Sequence, residues 1–269
     1  MSSIIVMQQT NSVHIITDGA IYGADGIVRE IRRKAVELPL SNCVFVLRGA
    51  DYPRLPLTLL LLQYDSFDAI MDNVARCVEQ MVGVFDQFND ARAPIERHFE
   101  LTVAGWSDNL NAWTVGVAST FEPCDPTDVQ GTSFLPGYQP FIPLQAAAAY
   151  CVPAVDGMAI LGRTLETQHD VDSLDPERDG LLLHKAQRLT PGFDGAFQVQ
   201  YLVGGFAELV TLSAQGVSRK ILCEWPDECG QLITPEGAPT REEVKVWIAE
   251  QQALAAAAED QAEPALVAA

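Results

Sequence analysis

Ser2-Ser3-Ile4-Ile5-Val6-Met7 opens the chain, and after a polar turn comes Val13-His14-Ile15-Ile16-Thr17-Asp18-Gly19. Val28-Arg29-Glu30-Ile31-Arg32-Arg33-Lys34 and Cys43-Val44-Phe45-Val46-Leu47-Arg48-Gly49 follow. Each run is short, apolar or alternating, and bounded by Gly, Asn, Asp or Pro, which reads as four β-strands in a compact meander. A strand that begins at residue three or four fixes a chain end that would otherwise fray. Methionine before a small residue such as Ser is usually removed, so Ser2 is the expected first residue. Its α-amine, with an ordinary pKa of about 7.7–8.0, then lies beside its own hydroxyl in the range where a general base works best. A serine with an adjacent base is an activated nucleophile.

Two charged residues stand at regular intervals, Asp18 sixteen positions after Ser2 and Lys34 thirty-two. On residue type alone, Asp18-Gly19 is a turn and Lys34, closing Arg32-Arg33-Lys34, is a solvated strand end. With these intervals, the Ser-Ser-Ile-Ile-Val start and Thr17-Asp18-Gly19, the chain resembles the proteasome β-subunit and HslV peptidase branch of the N-terminal-nucleophile hydrolases. The resemblance implies that Ser2 is the nucleophile, at a position usually occupied by Thr. It implies that Asp18 orients the lysine and that Lys34 eases deprotonation of the nucleophile. It also implies that Gly49, in Leu47-Arg48-Gly49-Ala50-Asp51, offers a backbone N–H to the oxyanion, as such donors do in acyl transfer. The interval to Gly49 is one residue longer than the family pattern.

The rest of the chain fits one large domain or two small ones: 269 residues, of which 48% are hydrophobic, fill a sizeable core. A net charge of −19 argues against nucleic-acid binding, which needs clustered Lys and Arg. The only basic cluster spans residues 29–34. No run of eighteen apolar residues exists to cross a membrane. The start lacks the pattern of a signal peptide, so the expected compartment is the cytoplasm. Six cysteines, scattered without a Cys-x-x-Cys pair, read as free thiols rather than a disulfide framework or metal site. No metal and no cofactor is expected.

Residues 67–88 carry Ile70, Val74, Cys77, Val78, Met81, Val82 and Phe85 at three- and four-residue steps, an amphipathic helix. Residues 99–106 and 112–118 alternate around a Ser107-Asp108-Asn109 turn as a hairpin, with Trp106 and Trp113 as packing residues. The stretch 121–155 is rich in Pro and Gly and predicts little regular structure beyond a helical turn at 146–149. The Gly- and Ser-containing turn that the family has there is absent, Gly131-Thr132-Ser133 being a poor match. Residues 158–168 read as a second helix and 169–175 as an acidic linker, where His169, Asp170 and Asp172 are scattered surface groups. Residues 180–187 form a short helix or strand, with His184 in the core or solvated. Residues 198–213 and 216–223 form a hairpin resembling the family's terminal one, with Gly204-Gly205 before it and Trp225 and Asp227 at its end. Thr240-Arg241-Glu242-Glu243 reads as a capping box.

These elements and the resemblance predict an α/β (α+β) fold, a four-layer αββα sandwich of two mostly antiparallel sheets with the N-terminal strand central. Residues 1–235 form that domain with 121–155 inserted, 236–258 a C-terminal helix, and 259–269 an Ala- and Glu-rich tail. The implied activity is cleavage of an amide bond in a peptide or small amide substrate, in a homo-oligomeric ring or larger assembly. A second reading is a catalytically silent structural protein of the same fold, for example a bacterial or phage particle component. Ser in place of Thr, the missing turn, the Pro-rich insertion and the extra helix favour it.

Overall fold

In the first hairpin, Ile4, Val6, Val13 and Ile15 point to one face and Ile5, Met7 and Ile16 to the other, and all are buried. Both faces are apolar because both are covered. The computed structural model describes residues 3–88, 98–120, 144–145, 149–193, 199–240 and 242–246. In chain order the elements are β1 (Ile4–Gln9), β2 (Ser12–Asp18), β3 (Ala20–Tyr22), β4 (Val28–Ile31), β5 (Val36–Leu38) and β6 (Cys43–Gly49). Then come α1 (Arg54–Leu61), α2 (Phe67–Phe88), β7 (Phe99–Ser107), β8 (Ala112–Ser119), β9 (Leu144–Gln145) and β10 (Ala149–Val152). Helices α3 (Gly157–Leu161), α4 (Gln168–Asp172) and α5 (Arg178–Leu189) follow, and β11 (Gly192–Phe193), β12 (Val199–Gln200), β13 (Phe206–Ser213) and β14 (Gly216–Glu224) close the series.

The strands build two five-stranded antiparallel sheets, ordered β10-β1-β2-β13-β14 and β5-β6-β7-β8-β9, and two small ribbons, β3-β4 and β11-β12. The first four runs are therefore not one meander. The first two join one sheet, the fourth joins the other, and β4 pairs with β3 in a separate ribbon. The N-terminal strand is inside its sheet but not at its centre, which is β2, because β10 covers the outer edge of β1.

Ile4, Val6, Val13 and Ile15 from the first sheet meet Val44, Val46, Val115 and Val117 from the second in one apolar cluster. Helices α1 and α2 bury Leu57, Leu61, Ile70, Val74 and Val78 on the other face of the second sheet, against Phe45, Leu47, Leu101 and Val103. Full burial of each such side chain contributes about 1.5–3 kcal/mol. On the other face of the first sheet, Val171 of α4 and Leu183 of α5 pack on Ile5, Met7, Ile16 and Leu209. Gly180 sets the closeness of α5: a Cβ there would overlap the Ile16 side chain.

Helix α2 and hairpin β7–β8 match the sequence periodicity, with Trp106 and Trp113 in an edge-to-face pair at 5.7 Å. The helix expected over 158–168 is interrupted. Gly162, at φ +70°, ends α3, and Thr167 and Asp170 cap α4 reciprocally. Residues 169–175 are accordingly not a linker, since α4 runs into them. Residues 180–187 lie within the longer α5, and the strand expected over 198–213 is broken by irregular residues 201–205. Ala149 opens a strand rather than a helical turn, while 146–148, most of the 121–155 insertion and Gly131-Thr132-Ser133 lie outside the described residues. The Thr240–Glu243 capping box is formed and residues 242–246 are helical; the remainder of the expected helix and the 259–269 tail lie outside them. Among the described residues, Cys43, Cys77, Cys151, Cys223 and Cys229 are free thiols. No described helix is long and apolar enough to cross a membrane.

Candidate active site

The register of the first hairpin pairs Ile4 with Thr17, so Ser3 stands beside Asp18 at the end of β2. The Asp18 carboxylate is fully buried and accepts four hydrogen bonds. Oδ1 takes one from the Ser3 backbone N at 3.0 Å and one from Lys34 Nζ at 2.5 Å. Oδ2 takes one from Ala20 N at 3.2 Å and one from Gly204 N at 3.3 Å. Lys34 is therefore not a solvated strand end: its side chain is 4% exposed. The chain returns to Asp18 because Arg32 N donates to the Gly19 carbonyl at 2.9 Å. Burial pulls the Lys34 ammonium below its ordinary pKa, and the adjacent Asp18 carboxylate opposes that shift. Such a lysine holds more neutral amine at a given pH than a solvated one, and neutral amine is the form that accepts a proton.

Ser2 lies outside the described residues. Gly49 is the last residue of β6, in the left-handed region at φ +94°. The segment after it packs on the lysine segment, with Asp51 in an ion pair with Arg32 and Arg54 Nη2 donating to the Arg33 carbonyl at 3.3 Å. The structure thus brings Asp18 and Lys34 into direct contact and sets the chain that follows Gly49 beside residues 32–33.

Several further residues complete the surroundings of Asp18. The Ser3 hydroxyl donates to Gln187 Oε1 and lies 3.1 Å from His184 Nδ1, all three residues being inaccessible to water. Burial lowers the His184 pKa to about 4, so the ring is neutral at pH 7, and its Nε2 has no hydrogen-bond partner among the described residues. The ring stacks on Trp225 at 5.6 Å, and the Arg188 guanidinium lies 4.6 Å from a Trp225 ring centroid. Arg188 grips Asp227 with two hydrogen bonds, at 2.8 and 2.9 Å, and donates to the Val203 carbonyl at 2.7 Å. Asp227 Oδ2 in turn accepts from Gly205 N at 2.8 Å. This clamp holds the 203–205 turn, where Gly205 has φ +76°. The turn presents Gly204 N to Asp18 and the Gly204 carbonyl to Gly19 N and Ala20 N. His184, Gln187 and Arg188 sit at i, i+3 and i+4 of α5, one helix face, and that spacing is their only local signature.

The Thr17 and Tyr22 hydroxyls are buried without a partner among the described residues. Burial and the neighbouring Asp18 charge raise the Tyr22 pKa. No grouping of His, Cys, Asp and Glu among the described residues could hold a metal ion. A scan against family models and a search of curated proteins both find no match to this chain.

Proposed function

We propose that this chain is an N-terminal-serine hydrolase of the proteasome β-subunit and HslV type, cleaving an amide bond in a peptide or small amide substrate. The observation that carries the reading is the buried Lys34–Asp18 pair, whose carboxylate also holds the Ser3 backbone nitrogen. That nitrogen is bonded to residue 2 through a planar peptide unit, so the pair is tied to the residue proposed as nucleophile. Two antiparallel sheets facing each other, each with helices on its other face, support the four-layer αββα sandwich of that superfamily.

With Ser2 freed by removal of Met1, Ser2 Oγ attacks the substrate carbonyl carbon and its proton passes to the α-amine or to Lys34 Nζ. The Gly49 N–H holds the oxyanion. Collapse breaks the C–N bond, the leaving amine takes the proton, and water then hydrolyses the acyl ester to regenerate the hydroxyl. A ring of copies is the assembly that accompanies this reading, and sedimentation measures it. The test of activity is hydrolysis of peptide aminocoumarin amides by the wild type and by Ser2→Ala. Turnover that vanishes in Ser2→Ala supports the reading; turnover that survives it removes Ser2 from the mechanism.

One observation favours the second reading, a silent structural protein of the same fold. Ser3 and Asp18 are inaccessible to water and Lys34 nearly so, as in a buried ion pair kept for architecture alone. A wild-type protein that assembles fully but hydrolyses none of the peptides decides for it.

A further inference from the structure

We infer that the end of the two facing sheets opposite the candidate active site binds a small organic ammonium ion, on Trp106 and the carboxylates of Asp65 and Asp108. The inference goes beyond the hydrolase reading and stands whether or not the chain hydrolyses anything. Strand register sets the separation. In the first sheet Ala207 pairs with Asp18, and Ser213, at the other end of β13, pairs with Ser12. In the second sheet Phe99 pairs with Gly49, and Trp106 lies seven residues further along β7, roughly 23 Å away at about 3.3 Å per residue.

At that far end a groove of about 430 Å³ opens between Ser41, Asp65, Ala214 and the β7–β8 hairpin, which contributes Trp106, Asp108 and Trp113. Its volume is that of a small-molecule site. Trp106 is 37% exposed, yet its ring is fixed. Its Nε1 donates to Asp108 Oδ1 at 3.0 Å, and it meets Trp113 edge to face at 5.7 Å. The turn beneath is held in turn by Asp68, which accepts from Ser107 Oγ at 2.7 Å and from Asn109 N at 3.0 Å. The platform is thus ordered before any ligand arrives. An indole face is the best aromatic surface for a cation, and a carboxylate on the indole N–H makes that face more negative. Asp65 has no hydrogen bond or ion pair among the described residues, and no Lys or Arg lines the groove. On β14, which follows Ala214, Arg219 pairs with Glu37 and Glu208, and Lys220 with Glu177. An ammonium group matches this combination: its charge rests on the indole, its N–H groups donate to the carboxylates, and an alkyl tail lies along the tryptophans.

The experiment is calorimetry of the full chain with pentylammonium and with 1-pentanol, a neutral molecule of the same length. Pentylammonium is expected to bind with a Kd of about 1 mM or tighter, and pentanol at least about tenfold more weakly, since it lacks the charge that both the ring and the carboxylates recognise. A net charge of −19 draws cations to the whole surface, so variants locate the site. Trp106→Leu and Asp65→Asn are each expected to weaken pentylammonium binding at least about threefold. Asp65 is exposed and without a partner among the described residues, so Asp65→Asn keeps the fold and decides the matter if Trp106→Leu does not fold. Pentylammonium binding more weakly than about 1 mM, pentanol binding as well as pentylammonium, or Asp65→Asn binding as tightly as wild type overturns the inference. A lysine-bearing tripeptide that binds about tenfold more tightly than pentylammonium overturns the assignment to a small ligand and makes the occupant a protein lysine. None of these readouts involves hydrolysis, so failure here leaves the hydrolase reading untouched.

Discussion

Lys34 Nζ lies 2.5 Å from Asp18 Oδ1, the carboxylate fully buried and the lysine nearly so, joining β2 to the segment that follows β4. Breaking such a pair strands the remaining charge, at a cost of about 3–5 kcal/mol, whereas the intact pair adds little net stability. Lys34→Met is expected near the lower end of that range, because three backbone N–H groups still serve Asp18. It is also expected to abolish turnover. Urea denaturation alongside a peptide assay reads both, and full stability in Lys34→Met contradicts the buried pair.

The rate should climb with pH. Burial holds the Lys34 pKa below 10.5, so kcat/KM is expected to rise through a midpoint under that value as neutral amine forms. Asp18 works against the shift, so Asp18→Asn is expected to move the midpoint further down. The stability consequence has the same sign. Between the lowered folded value and 10.5 the unfolded chain holds more protons, so the Lys34 contribution increases as pH rises through that window. A pH–rate profile with no inflection below 10.5 contradicts the assignment of Lys34 as base.

Acid should unfold the protein through its histidines. His14, bonded to Ser12, Gln9 and Thr211, and His184, against Ser3 and Gln187, are each lowered by burial to about 4 from 6.5. As pH falls from 6.5 toward 4 the unfolded chain takes protons that the folded chain refuses, so stability present above pH 6.5 is lost across that window. The loss is on the order of 3 kcal/mol per histidine. Urea midpoints at pH 7 and pH 4.5 measure it, and His184→Gln is expected to reduce the difference.

Asp227 acts on the site at a distance. It holds Gly205 N and Arg188, and the 203–205 turn they fix donates to Asp18. Asp227→Ala strands the Arg188 cation, which is nearly buried, and is expected to cost about 3–5 kcal/mol. It should also lower kcat more than KM. A change in stability with unaltered kcat assigns the clamp to architecture alone.

Periodicity made α2 and the β7–β8 hairpin legible, since α2 buries one regular apolar face on the sheet and the hairpin pairs residues close in sequence. The Asp18–Lys34 contact was legible only through the family resemblance, since on residue type alone Lys34 reads as a solvated strand end. Ser3 with His184 was not, because 181 residues separate them and the helical spacing of His184, Gln187 and Arg188 does not say what they face. The short strands β3 and β5, of three residues each, carry too few side chains for alternation to register. The Thr167–Asp170 capping box was present in the sequence, but the acidic residues around it read as a solvated linker.

The central claim is an activated amine and hydroxyl at Ser2, and intact mass before and after an epoxyketone or β-lactone probe tests it most directly. The account predicts loss of Met1 and a single adduct mapping to Ser2, absent in Ser2→Ala and reduced in Lys34→Met. Met1 retained, with no adduct, contradicts it.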